Sequence, residues 1–219
     1  MKISEAKLRI REESGNNELG LVANMSWHLD PKHLVFMLSR YKFVAKMLSG
    51  KKHVLEIGCG DAFCTRIVLQ EVNSLVAIDA DGEYAKEHLA NRDSKWSFEL
   101  HEHDILLGPV EGGSFDAAYS IDVIEHIENK YEDMFMENIA SSLSDQGICI
   151  IGTPSLESQK YASAESIETH VNCKNHKQLK ELVSKYFHNV FLFSMNDEVV
   201  HTGFYPMAHY LWAIGVGKK

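Results

Sequence analysis

The chain is expected to form a single doubly wound α/β domain, and three features of the sequence carry that expectation. From residue 53 onward, short runs of β-forming residues alternate with helical stretches, the pattern of βαβ units around a mostly parallel sheet. The first run ends in a glycine-rich turn, Gly58-Cys59-Gly60, that leads into a helix. The length, 219 residues of which 45% are hydrophobic, suits one core.

Residues 1 to 24 mix charge with Gly and Asn and hold no sustained apolar period, so they read as an arm that orders against substrate or a neighbour. Asp30-Pro31 starts a helix, with Asp30 as N-cap and Pro31 at the first helical position, where a missing amide hydrogen costs nothing. Met37, Tyr41, Val44 and Leu48 follow at helical spacing, and Gly50 closes the segment.

Strands are predicted at 53–57, 74–79, 97–101, 115–120 and 147–152, with helices at 62–72, 82–90 and 129–144 between them. A further helix over 175–187 opens with Asn175 and Gln178 in a variant of the capping box, and Leu179, Leu182, Val183 and Tyr186 make its apolar face. Two last runs, 189–196 and 209–216, are joined by a link without a helix of its own. They therefore predict an antiparallel pair at the sheet edge, because a parallel connection needs a crossover. The result is a seven-stranded sheet whose last strand is antiparallel. Residues 153–170 form one long irregular stretch, a length usually kept for function.

A formal net charge of −9, with Lys and Arg dispersed, disfavours nucleic acid as a partner, since sequence-independent affinity needs a concentrated basic surface. No signal pattern and no apolar run of membrane-spanning length is present, so a cytoplasmic location without membrane association is expected. Cys59, Cys64, Cys149 and Cys173 are too scattered for a disulfide framework and are expected as reduced thiols.

The strongest local signal is Val54-Leu55-Glu56-Ile57-Gly58-Cys59-Gly60-Asp61-Ala62: an apolar strand, an acid near its end, then a turn whose glycines let backbone approach a ligand. Asp79 ends the second strand, 21 residues after Gly58, where an acid can accept hydrogen bonds from ribose hydroxyls. The dinucleotide fingerprint asks for glycine or alanine where this chain has Phe63, so a nicotinamide oxidoreductase is the weaker ribose-binding reading.

VLEIGCGDA, together with FDAAYSIDVIEHI after the fourth strand, resembles the class I S-adenosylmethionine-dependent methyltransferases over residues 53–152. The resemblance implies a Rossmann-like fold with S-adenosyl-L-methionine as methyl donor and S-adenosyl-L-homocysteine as product. It implies Glu56, Gly58, Cys59 and Gly60 at the methionine end of the cofactor, Asp79 and Ala80 at the ribose, and Asp104 with Ile105 at the adenine. Ser120, Ile121 and Asp122 would close the site. Arg40, on the preceding helix, has a planar guanidinium suited to the cofactor carboxylate or, equally, to solvent. Ala62 departs from the third glycine that the family often has.

Because the methyl is activated by positive sulfur, the protein must mainly align the acceptor and, for a hydroxyl, remove a proton. Two of the twelve histidines are candidates: His126 in DVIEHI and His170 in ETHVNC, with His170 ranked first as base. The His-x-Asn segment starting at His170 is similar to one in small-molecule and sugar methyltransferases of this class. A structural role for either imidazole is an open alternative. His170, Cys173 and His176 supply three ligand types without an evident fourth, so no metal is expected. Ser120-Ile121-Asp122-Val123 lacks the family's Pro-Pro-Tyr or Pro-Pro-Phe signature for base and glutamine amino groups.

The function expected is O-methylation of a small-molecule or saccharide hydroxyl, with residues 1–50 and 153–170 covering the acceptor. N- or C-methylation of a small metabolite or quinone precursor is an alternative, as is an S-adenosylmethionine-binding protein without catalysis. Phe204, Tyr205 and Pro206 would suit a homodimer interface.

Overall fold

The computed structural model describes residues 4–90, 95–112 and 114–219. The first three residues of the expected arm lie outside these. Eight strands form one sheet: β1 (His53–Ile57), β2 (Ser74–Asp79), β3 (Glu99–Glu102), β4 (Phe115–Ile121), β5 (Leu143–Pro154), β6 (Phe187–Asn196), β7 (Val199–His201) and β8 (Tyr210–Lys218). Their spatial order is β3-β2-β1-β4-β5-β8-β6-β7. β1 pairs in parallel with β2 on one side and β4 on the other, so the chain reverses its winding between β1 and β4. At such a switch point the connections after the two strands diverge and leave a crevice at their carboxyl ends.

Period-2 alternation sends side chains to two cores. Val54, Ala117, Tyr119, Ile150 and Trp212 face one side, while Leu55, Ala118, Ile151 and Ala213 face the other. Helices α3 (Pro31–Met47) and α4 (Thr65–Leu69) cover the first; α6 (Glu132–Ser142) and α8 (His176–Ser184) cover the second. Asp30 caps α3 by accepting from the Lys32 amide at 3.2 Å, and Pro31 takes the first turn. The capping box of α8 forms as read: Asn175 Oδ1 accepts from the Gln178 amide, and Gln178 Oε1 accepts from the Asn175 amide, both at 2.9 Å.

Four expectations change. The sheet has eight strands, because a turn at Asp197 (φ 51°) adds the three-residue β7, too short to give a periodic signal. β6 and β8 are antiparallel as expected, yet β8 lies inside the sheet between β5 and β6, consistent with its continuous buried run from Tyr210 to Ile214. The arm is helical: α1 (Glu5–Ser14) buries no residue, whereas α2 (Leu21–Leu29) buries Ala23 and Ser26. The helix predicted from residue 62 starts at Thr65, since Gly58, Gly60 and Ala62 all hold positive φ and prolong the turn.

Helix α5 (Gly82–Ala90) links β2 toward β3. The long stretch after β5 is built from a 3-10 turn, Leu156–Tyr161, and the short helix α7 (Ala164–Thr169), each capped by a serine side chain, Ser155 and Ser163. No described helix is long and apolar enough to cross a membrane.

Candidate active site

A cleft of about 1310 Å³ opens at the carboxyl ends of β1, β2 and β4, where the winding reverses. Its walls include Val22, Met25, Ser26, His33 and Arg40 from α2 and α3, and Ser158, Gln159, Ser163, Thr169 and His170 from the segment after β5. Both segments expected to cover an acceptor thus line the cleft.

The turn after β1 places backbone against the cavity. Gly58 has φ 73°, and a Cβ there would lie 2.3 Å from Val123 Cγ2; Gly60 has φ 53°. Asp79 anchors this turn by accepting from the Gly60 amide at 2.9 Å through Oδ2 and from the Asp81 amide at 3.0 Å through Oδ1. Ala62, buried in the core behind the turn, takes a left-handed φ of 53° without being glycine, a strain of about 1 kcal/mol. Gly58, Cys59, Gly60, Asp79, Ala80, Asp104, Ile105, Ile121 and Asp122 all line the cleft. Asp104 also caps a 3-10 turn, accepting from the Leu106 amide at 2.9 Å.

Glu56 and Ser120 do not line it. Glu56, 1% exposed, points into the core beneath the turn, where Tyr41 Oη and Thr65 Oγ1 each donate to its carboxyl at 2.7 Å. Burial pushes its carboxyl up to about 7, and these hydrogen bonds hold it from rising further. Ser120 is likewise buried, with its Oγ unpartnered among the described residues. Strand alternation explains both: each precedes the residue, Ile57 or Ile121, that faces the cleft.

Arg40 lines the cleft already engaged. Its Nη1 donates to Asp122 Oδ2 at 2.5 Å, and the guanidinium carbon sits 4.1 Å from the Tyr210 ring centroid. Asp122 itself has φ 57°, a strained turn immediately after β4 that turns its carboxylate toward α3.

A second polar group on the cleft wall is formed by Glu125, His126 and His170. One donor atom of each lies within 4.8 Å of the others. The two imidazoles meet edge to face with centroids 5.0 Å apart. His126 Nδ1 is 3.1 Å from the Thr169 carbonyl, and His170 Nδ1 is 3.1 Å from Gln159 Oε1. Both oxygens only accept, so Nδ1 donates in each ring, and in the neutral imidazole that leaves the lone pair on Nε2. Burial, then His126, lowers the His170 pKa. Glu125 is fully buried; burial, then repulsion by Asp122, pushes its carboxyl up to about 8.

Glu125 escaped the sequence reading, although it stands beside His126 in the quoted DVIEHI run. An acid next to a histidine just past a strand end was the available signal. His33 and His209 also line the cleft with pKa values lowered first by burial, and no motif marks them. His170, Cys173 and His176 do not converge: His176 instead stacks on Tyr205 at 4.2 Å between centroids.

Among curated proteins, none matches the chain. Solved structures share its fold. The methyltransferase domain of bacterial CtHen1-C superposes with a TM-score of 0.69 at 15% identity, covering 83% of this chain and 98% of that one. The N-methyltransferase NodS from Bradyrhizobium japonicum WM9, in complex with S-adenosyl-L-homocysteine, gives 0.60 at 16% identity, covering 98% and 99%. The small RNA methyltransferase HEN1 gives 0.66 at 17% identity, covering 82% of this chain and 25% of its own. A family model described as a methyltransferase domain matches residues 31–186, which span the turn after β1, the β4 end and both candidate histidines. The chain therefore belongs to the methyltransferase domain family, of the class I S-adenosylmethionine-dependent kind that its sequence resembles.

Proposed function

We propose that this enzyme methylates a hydroxyl oxygen of a small molecule or saccharide, with S-adenosylmethionine as donor. The observation that carries the acceptor class is the pair of imidazoles facing the cleft, each with Nδ1 satisfied and Nε2 without a hydrogen-bond partner among the described residues. Amine acceptors that are neutral at the site need no base, whereas a hydroxyl does.

The cleft fits the donor. The exposed backbone of Gly58–Gly60 suits close approach of the methionyl portion, Asp79 at the end of β2 suits ribose hydroxyls, and Asp104 with Ile105 suits the adenine edge. When bound, S-adenosylmethionine supplies a methyl on cationic sulfur; the acceptor oxygen forms the new C–O bond as the C–S bond breaks and its electron pair neutralises the sulfur. The chain's own residues align the acceptor between α3 and the segment after β5, and His170 Nε2 is positioned to take the hydroxyl proton. The net charge of −9 supports a small acceptor over a polyanion.

Purified protein is to be incubated with labelled donor and a panel of saccharides, phenols, amines and RNA. Label on oxygen acceptors is expected, and His170→Ala should slow it by about 10²–10⁴-fold while donor affinity in calorimetry stays unchanged. Label confined to amines or to RNA would replace the oxygen reading, and wild-type turnover by the variant would end the role of His170.

A further inference from the structure

We propose that Glu125, His126 and His170 form a binding site for a divalent transition cation such as Mn2+ or Zn2+, with the acceptor oxygen completing its coordination. Three side chains from two separate segments bring donor atoms within 4.8 Å of one another on the cleft wall. Each is prepared to donate electrons. The His126 ring is oriented by the Thr169 carbonyl. The His170 ring is oriented by Gln159 Oε1, and Gln159 is itself turned the right way by donating from Nε2 to the Ser155 carbonyl at 3.2 Å. Fixing Nδ1–H on an oxygen is how a ligating histidine is held with Nε2 toward a metal.

Glu125 supplies an independent indication. Its Oε2 accepts from Thr153 Oγ1 at 3.0 Å, but Oε1 is buried with no hydrogen-bond partner among the described residues. A carboxylate oxygen left bare in the interior carries a full desolvation penalty, which a cation would offset. Asp122 adds negative charge alongside: Arg40 holds its Oδ2, while Oδ1 is buried and also unpartnered.

Two imidazoles and a carboxylate favour a first-row cation over calcium or magnesium, whose ligands are oxygens. Three protein ligands leave coordination positions open on the cleft side. With the ion bound, His170 Nε2 would serve as a ligand in place of the base role given to it above, and a coordinated hydroxyl would ionise closer to neutral pH and lose its proton to water. That role rests on the oxygen-acceptor reading above; the existence of the site does not.

The test uses the full-length chain, stripped with chelator, titrated with Mn2+ under electron paramagnetic resonance and with Zn2+ in a calorimeter. Saturable binding at a single site per chain is expected. His126→Ala, which alters an exposed ring, should weaken it by at least roughly tenfold, and so should Gln159→Met, which removes only the orienting amide. Circular dichroism and thermal unfolding of each variant confirm that it is folded. Absence of saturable binding of either ion at millimolar concentration, or equal affinity in folded His126→Ala, would overturn the site. A metal-binding chain that methylates no oxygen acceptor would overturn the function reading alone, and a metal-free chain that methylates hydroxyls would overturn this inference alone.

Discussion

Arg40 and Asp122 join across 82 residues of sequence: the guanidinium of α3 donates to the carboxylate just past β4 at 2.5 Å, roofed by the Tyr210 ring. The contact ties the helix that walls the cleft to the strand end that forms its floor. It also redefines Arg40, which the sequence offered as a partner for a ligand carboxylate.

Removing one member should leave the other charge stranded. Arg40→Met is expected to lower unfolding free energy by about 3 kcal/mol in urea titration, because the Asp122 carboxylate would lose its pairing in a largely desolvated place. Arg40→Lys should recover only part, since an ammonium does not stack on Tyr210 as a planar guanidinium does. A stability equal to wild type in Arg40→Met would show that the pair contributes nothing net.

Glu56 should give stability a pH slope. Its carboxyl is held at about 7 in the fold and near 4.5 in the unfolded chain. Between those values the native state keeps a proton that the unfolded state has released, so stability falls as pH rises from 4.5 to 7 and is level for this group outside that window. The loss amounts to about 3 kcal/mol at most. Glu56→Gln retains an acceptor for Tyr41 or Thr65 without titrating, so urea unfolding across this range should show a flatter slope than wild type. Parallel slopes would remove Glu56 as the source.

Asp79→Ala should weaken S-adenosylmethionine binding by about 10–100-fold in calorimetry, the equivalent of losing one or two charge-assisted hydrogen bonds. Part of this effect would come through the protein itself, because Asp79 holds the Gly60 and Asp81 amides at 2.9 and 3.0 Å. Asp79→Asn, which retains an acceptor oxygen, should lie between. Unchanged affinity in folded Asp79→Ala would take Asp79 out of the ribose role.

Asp61 docks the N-terminal arm on the turn after β1. Its Oδ2 accepts from the Ala23 amide at 2.8 Å, in the first turn of α2, and its Cβ sits 2.4 Å from where a Gly20 Cβ would be. The residue acts as an N-cap supplied from 38 positions away, so Asp61→Ala should cost about 1 kcal/mol. Hydrogen exchange at Ala23 and proteolysis within Leu21–Leu29 should both speed up, with β1 and β4 unaffected. Unchanged protection at Ala23 would deny the capping role.

Local signals decided much of this protein in advance. Helix caps at Asp30 and Asn175, the glycines at 58 and 60 and the apolar runs of β1, β2, β4 and β5 depend on neighbours a few residues away, so they were legible without tertiary information. A doubly wound sheet and Asp79 at a strand end followed from the order of those elements, whereas Asp104 and Asp122 were marked only by the family resemblance. Tertiary structure decided the rest. Whether Glu56 faces ligand or core turned on which side of β1 packs against Tyr41 and Thr65. The place of β8 inside the sheet was set by pairing with β5, far earlier in the chain. The convergence of Glu125 and His126 with His170 required the segment after β5 to fold back over the β4 end, a long-range approach driven by burial rather than by any sequence spacing.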